Sequence, residues 1–152
     1  GFDMKTDGER GSFLNLPSRN NKDSIIENIE FVNGGYSSIK MNGQEVYKFA
    51  VKEVPMILKK LFKKTNYSSE QVDWLILHQA NQRILDSVGD RLKIPKEKIL
   101  SNLENYGNTS AATIPLMMDE AIKSNRIKQN DIIATSGFGA GLSWGAALLK
   151  WG

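Results

Sequence analysis

The run WLILHQAN, Trp74 to Asn81, ends an apolar stretch on His78, the one histidine among 152 residues. Two amide side chains, Gln79 and Asn81, follow at once; a second polar stretch carries Asn105, Gly107 and Asn108; a third, GFGAG, runs from Gly137 to Gly141. A neutral imidazole and an asparagine amide each offer an N–H, and small residues let backbone N–H groups approach a ligand closely. Fixed donors of this kind suit an oxygen that gains negative charge during a reaction. Each stretch also has an ordinary reading: a hydrogen-bonded boundary histidine, a turn with a helix cap, and a tight turn that needs positive φ. The glycine run resembles part of a nucleotide loop, yet a dinucleotide fingerprint opens a helix early in a βαβ unit, and this one precedes an apolar strand near the last residue.

Composition narrows the chemistry further. With no cysteine, disulfides, thiolate ligands and thiol nucleophiles are all excluded, and one histidine leaves little for a zinc cage, so no metal is expected. A net charge of +3 favours an acidic partner, and no nucleic-acid partner is expected. At 152 residues and 40% hydrophobic the chain suits one ordinary core, and a single domain over 1–152 is the natural count. Segments such as MILKKLF and WLILH are too short and interrupted to span a bilayer, and nothing at the start resembles a cleavable signal. The expectation is a soluble chain without a membrane partner. It opens GFDMKT with no initiator methionine, so a fragment is expected.

Periodicity places the polar stretches on elements. GFDMKTDGERGSFLNLP reads as a strand and a turn-rich return, and NKDSIIENIE as loop with a short strand at most. Val46, Ala50, Val54, Ile57 and Leu61 recur at helical spacing, predicting a helix from Gly43 to about Lys64 with a kink at Pro55. VDWLILH suits a strand buried on both faces, and Ile84, Leu85, Val88 and Leu92 mark the helix after it. Beyond Pro95, KEKILSN supplies a short strand. LENYGNTSAA then forms a turn feeding a helix through Ile114, Met117, Met118, Ala121 and Ile122, with Thr109 or Ser110 as its cap. NDIIATSGFGAGLSWGAALLKW reads as strand, glycine-rich turn and strand. The order βαβα with a terminal hairpin predicts an α/β fold, a mixed β-sheet covered by helices. The three polar stretches each follow a strand and share one sheet edge if those strands are parallel neighbours.

Taken together, HQANQRI, YGNTSAA and GFGAGLSWGAAL, in this order and after these strands, resemble the β-ketoacyl-acyl carrier protein synthase III family, thiolase-like condensing enzymes that start fatty acid synthesis. MNGQEVYKFAV, Met41 to Val51, is similar to the family segment that opens the first long helix. The likeness covers nearly the whole chain and implies the C-terminal half of a thiolase-like fold, without the preceding half that carries the family's cysteine nucleophile. A fragment of this kind is expected to be inactive alone.

What the resemblance implies about roles is specific. His78 and Asn108 correspond to the family's catalytic donors, which hold the enolate oxygen formed when malonyl-acyl carrier protein loses carbon dioxide. Phe138, Gly139 and Ala140 fall in the oxyanion and acyl-pocket loop, with Phe138 as a wall or gate. Gly43 lies near the coenzyme A or pantetheine arm, and Gln79, Ala80, Asn81, Gln82 and Arg83 correspond to acyl carrier protein contacts. Lys48 and Arg91 are further candidates for a basic rim, against the plainer reading of a solvated helix face. Implied partners are acyl carrier protein, acyl-CoA, the missing N-terminal half and a second copy in a homodimer; no cofactor is implied beyond the substrates acetyl-CoA and malonyl-acyl carrier protein. The expected location is the cytoplasm, or the plastid stroma for a plastid-encoded chain. Two alternatives stay open: another thiolase-superfamily condensing enzyme, such as a polyketide-type synthase, and a cysteine-free binding or dimerising module.

Overall fold

The computed structural model describes the backbone of residues 1–26 and 29–152, and the side chains of these except 20–33. Strand β1 (Phe2–Thr6) leads through a turn of 3-10 helix (Gly8–Phe13) to β2 (Leu14–Asn15), the hairpin β3 (Ser18–Ile26) and β4 (Ile29–Tyr36), and β5 (Lys40–Met41). Helix α1 (Gly43–Thr65) follows, then β6 (Trp74–Leu77), α2 (Gln82–Leu92), β7 (Ile99–Leu100), the single turn α3 (Leu103–Tyr106), α4 (Thr113–Lys123), β8 (Ile132–Gly139) and β9 (Ser143–Lys150).

The main sheet is mixed and five-stranded, in the order β1-β9-β8-β6-β7. β6 lies parallel to both β7 and β8, whereas β8–β9 and β9–β1 are antiparallel. Side chains alternate across β6 as a pleat requires. Leu75 and Leu77 join the larger core with Phe49, Leu58, Leu61, Ile84, Leu85 and Val88 of α1 and α2. Ile76 joins a smaller core on the opposite face with Met117 and Ala121 of α4. The expected α/β sandwich is therefore observed, with α1 and α2 on one face and α4 on the other.

Local chemistry explains the element ends. Asn42 caps α1 by accepting a 3.2 Å hydrogen bond from the Glu45 N–H, and Asn66 closes it in the left-handed region at φ 56°. The helix continues without interruption through Pro55. Four local expectations are corrected. The stretch around NKDSIIENIE is not loop but part of a hairpin whose strands run nine and eight residues; Glu27 and Asn28 lie outside the described residues. Backbone pairing between the two strands outweighs their polar composition. LNLP is partly strand, because Leu14 and Asn15 pair with Met41 and Lys40. LENY forms a helical turn. Neither Thr109 nor Ser110 caps α4 with its side chain; the Asn108 Oδ1 instead accepts a 3.0 Å hydrogen bond from the Ser110 N–H, and a 3-10 turn over Ser110–Ala112 leads into the helix.

Leu85 is fully buried between α1 and the sheet. Leu85→Ala should lower the unfolding free energy by about 2–5 kcal/mol, the range for a leucine removed from a close-packed core. Urea denaturation of the protein carrying this chain measures it.

Candidate active site

Because β8, β6 and β7 are parallel neighbours, the segments that follow them leave from one edge of the sheet. β6 stops at Leu77, and the His78 N–H extends its ladder by one rung, donating to the Ser136 carbonyl at 2.9 Å. The His78 carbonyl accepts from the Ala80 N–H at 2.8 Å, turning the chain sharply. The imidazole is thus held at its backbone on both sides. Its ring is half-buried, with Nδ1 2.9 Å from the Thr113 Oγ1 and its plane at 77° to Phe138, centroid to centroid 5.3 Å. Phe138 in turn meets Phe49 edge-on at 6.1 Å, and Phe49 meets Trp144 at 5.1 Å, so aromatic packing continues from α1 to the ring. Burial with no compensating charge pushes the His78 imidazole below its ordinary value of 6.5, leaving it neutral at pH 7.

The asparagine stretch reaches this ring through its own helix. Asn108 is exposed, and with Oδ1 accepting from Ser110, its amide NH₂ stays a donor with no partner among the described residues. The turn after it runs directly into Thr113, the residue bonded to His78. Gly107, at φ 63° and ψ −149°, occupies a backbone region open essentially to glycine alone and lets the chain leave α3 toward Asn108. In the third stretch, Gly137 to Gly139 are the end of strand β8 and not a free loop, and the turn itself is Ala140 to Leu142. β8 outruns β6, so its last residues keep β9 on one edge and leave the other open beside His78. Of these glycines only Gly141 has positive φ, 142°, and a Cβ there would lie 2.8 Å from the Ser143 backbone nitrogen. Ala140 is exposed at the turn, and Gly139 has room around its Cα.

The segment expected to face a carrier protein divides. Gln79 is 0% exposed: its Nε2 donates to the carbonyls of Leu77 and Leu100 at 2.9 and 3.2 Å, and its Oε1 accepts from the Asn102 N–H at 3.2 Å. It clamps the ends of β6 and β7 together and is withdrawn as a surface contact. Ala80 packs against the larger core, and Asn81 caps α2 by accepting from the Arg83 N–H at 2.8 Å. Gln82 is exposed and bonds Asp86. Arg83 is exposed too and stacks 5.3 Å above the Tyr47 ring, whose hydroxyl lies 3.0 Å from the Ser87 Oγ across the α1–α2 interface. Lys48, next to Tyr47, is exposed and pairs with Glu45 at 2.7 Å; Arg91 is exposed further along α2. Gly43 is exposed as the first residue of α1.

Thr113 and Ser87 lie outside the quoted motifs, and Tyr47 lies within MNGQEVYKFAV with no role of its own assigned there. One available signal was periodicity: Thr113 heads the buried stripe Thr113, Met117, Ala121 of α4, and a hydroxyl on an otherwise apolar stripe needs a partner. Among the described residues no cluster of three or more histidine and acidic side chains is arranged to hold a metal, and no helix is long and apolar enough to cross a membrane.

The model of the family described as 3-oxoacyl-[acyl-carrier-protein (ACP)] synthase III C terminal matches residues 62–151. The chain belongs to that synthase III C-terminal family. As a member of the synthase III C-terminal family it is similar to a β-ketoacyl-[acyl-carrier-protein] synthase III of Prochlorococcus marinus strain MIT 9215, 86% identical over 152 residues, covering 100% of this chain and 45% of that protein. The chain thus spans less than half the length of the curated relatives it matches. The crystal structure of a 3-oxoacyl-[acyl-carrier-protein] synthase III from Aquifex aeolicus superposes with a TM-score of 0.83 at 34% identity, over 99% of this chain and 43% of that one. A priming β-ketosynthase of a polyketide biosynthetic pathway superposes with a TM-score of 0.82 at 26% identity, over 99% and 44%. The thiolase-like α/β architecture expected from the motifs is the architecture this synthase III family member has.

The neutral imidazole has a consequence for stability. The unfolded chain takes up the His78 proton at its ordinary value of 6.5, before the folded chain does. His78 therefore makes stability fall as pH drops below 6.5 toward its folded value, and adds no pH dependence above. Unfolding free energies taken from about pH 7.5 to about pH 5 should decline less steeply in His78→Asn than in the parent. A constant difference between the two across that window would contradict it.

Proposed function

We propose that this chain is the enolate-holding half of a β-ketoacyl-acyl carrier protein synthase III, which condenses acetyl-CoA with malonyl-acyl carrier protein. The observation that carries the reading is the neutral His78 ring, pinned by Thr113 beside Phe138 at the edge where three parallel strands end. In the reaction, a cysteine on the other half takes the acetyl group from coenzyme A. The malonyl thioester then loses carbon dioxide, and the electron pair of the broken carbon–carbon bond passes to the thioester carbonyl as an enolate. His78 and Asn108 each donate an N–H to that oxygen. The enolate carbon next attacks the acyl-cysteine carbonyl, closing the new carbon–carbon bond and releasing the thiolate. Backbone N–H groups over Phe138, Gly139 and Ala140 face the oxyanion of that second step, with Phe138 as a wall of the acyl pocket.

The substrate arm approaches past Gly43 at the start of α1, and the acidic carrier protein docks on Arg83 with Asn81 and Gln82, flanked by Lys48 and Arg91. No resident cofactor enters the scheme. The parent acts as a cytoplasmic homodimer. A second reading, a priming ketosynthase of polyketide synthesis, draws on the structural likeness to such an enzyme and uses the same donors with a different starter acyl group.

In the full-length parent, His78→Ala or Asn108→Ala should slow malonyl decarboxylation by about 10²–10³-fold, the range for a lost oxyanion donor. Acyl transfer from coenzyme A to the cysteine should be largely retained. Equal loss of both half-reactions, measured separately with radiolabelled substrates, argues against the donor roles. Arg83→Glu should raise KM for malonyl carrier protein while leaving KM for the CoA thioester nearly unchanged; an unaltered carrier-protein KM removes Arg83 from the docking surface.

A further inference from the structure

We propose that Thr113 is a positioning residue that sets the tautomer of His78, donating its hydroxyl proton to Nδ1 and so placing the ring's own proton on Nε2. This rests on the reading of His78 as an N–H donor and identifies what makes it one. Thr113 is 2% exposed, and its Oγ1 lies 2.9 Å from Nδ1. At that distance one of the two atoms donates, and the imidazole tautomer decides which.

The hydroxyl proton settles the choice. A buried O–H needs an acceptor, and a threonine in a helix usually finds one in the carbonyl three or four residues back. Here those carbonyls lie in the preceding turn: the Ser110 oxygen accepts from the Thr113 N–H and the Thr109 oxygen from the Ala112 N–H. Among the described residues the hydroxyl makes no hydrogen bond except to Nδ1. Were Nδ1 protonated, it would donate to Oγ1 and the hydroxyl proton would be stranded in the interior. That penalty disfavours the tautomer by on the order of tenfold to a hundredfold. With the proton on Nε2 both groups are satisfied, and the Nε2–H is the ring's remaining donor. Two features keep the pair in register: Thr113 begins α4, whose buried stripe anchors it against β6 and β7, and the edge of Phe138 limits rotation of the ring.

The test is ¹⁵N NMR of the full-length enzyme labelled at histidine, with the His78 signals identified by their loss in His78→Gln. At neutral pH the expected spectrum has a proton on Nε2 and a hydrogen-bonded, unprotonated Nδ1. In Thr113→Val, which preserves shape and removes the hydroxyl, the Nδ1 signal should move toward that of a free acceptor and the Nε2–H population should fall. Thr113→Ser should restore the parent spectrum. A proton on Nδ1 in the parent, or an Nδ1 signal identical in parent and Thr113→Val, overturns the inference whatever the activity. Malonyl decarboxylation measured on the same samples should fall in Thr113→Val in step with the Nε2–H population and recover in Thr113→Ser, with acyl transfer little changed. A tautomer shift with undiminished decarboxylation upholds the role of Thr113 and removes the donor role of His78 instead, so the two readings fail separately.

Discussion

The contact between Thr113 and Nδ1 of His78 joins the end of an inner strand to the helix that covers one face of the sheet. His78 follows β6, whose Leu75 and Leu77 face the core under α1 and α2, and Thr113 begins α4 on the face that Ile76 shares. A hydrogen bond tolerates only a few tenths of an ångström, so the sheet, both helix layers and the turn before α4 must be in place before the ring has a defined orientation. Burial raises the stakes. An imidazole half removed from water with one nitrogen unmatched would be a liability to the fold, whereas matched it is a rigid donor.

Much of the polar chemistry near the ring serves that rigidity. Gln79, next in sequence to the histidine, turns inward and ties the carbonyls of Leu77 and Leu100 to the backbone of Asn102, so β6 and β7 end as one piece. Asn102 then passes the tie on, its Nδ2 donating to the Glu120 carboxylate of α4 at 2.8 Å. The path from the histidine segment to α4 is therefore closed twice, once through Thr113 and once through Gln79 and Asn102. On the outer side, Tyr47 and Ser87 fasten α1 to α2 and give the Arg83 guanidinium a ring to lie on, which holds a cation at the surface without drawing it into the site.

Elements with strong period were readable in advance. β6, α2 and the β8–β9 hairpin follow from apolar spacing, because burial on a defined face is what those residues contribute. Their parallel neighbourhood, on which the shared edge depends, needed coordinates: nothing in WLIL or KEKIL states which strand lies beside which. The β3–β4 hairpin was missed because its polar stretch offers no alternating apolar face, and its pairing rests on backbone groups that every residue has. Gln79 was misread for a related reason. An amide beside a histidine motif has the same composition whether it faces a partner or a pair of carbonyls, and only the strand ends around it decide. Thr113 has no place among the quoted motifs, although a hydroxyl at the head of an apolar stripe demands a partner.

On the proposed chemistry, neutrality of the ring has a further physical consequence. The malonyl group enters with a carboxylate that must leave as carbon dioxide, while the negative charge that needs support appears later, on the thioester oxygen. A fixed cation at the donor position would attract the departing carboxylate as well as the enolate, stabilising the ground state along with the transition state and gaining little rate. A neutral N–H in a site of low polarity favours the localised enolate oxygen over a distant carboxylate, since a dipole acts at short range and in one direction. Burial of the ring and the exposure of Lys48, Arg83 and Arg91 therefore act together: these three cations stay at the surface of α1 and α2, and the ring itself offers only a neutral N–H. An arginine or lysine in place of His78 would still donate an N–H yet reverse that separation of charge, which is why a lone imidazole at the end of an apolar strand fits this chemistry better than a stronger base.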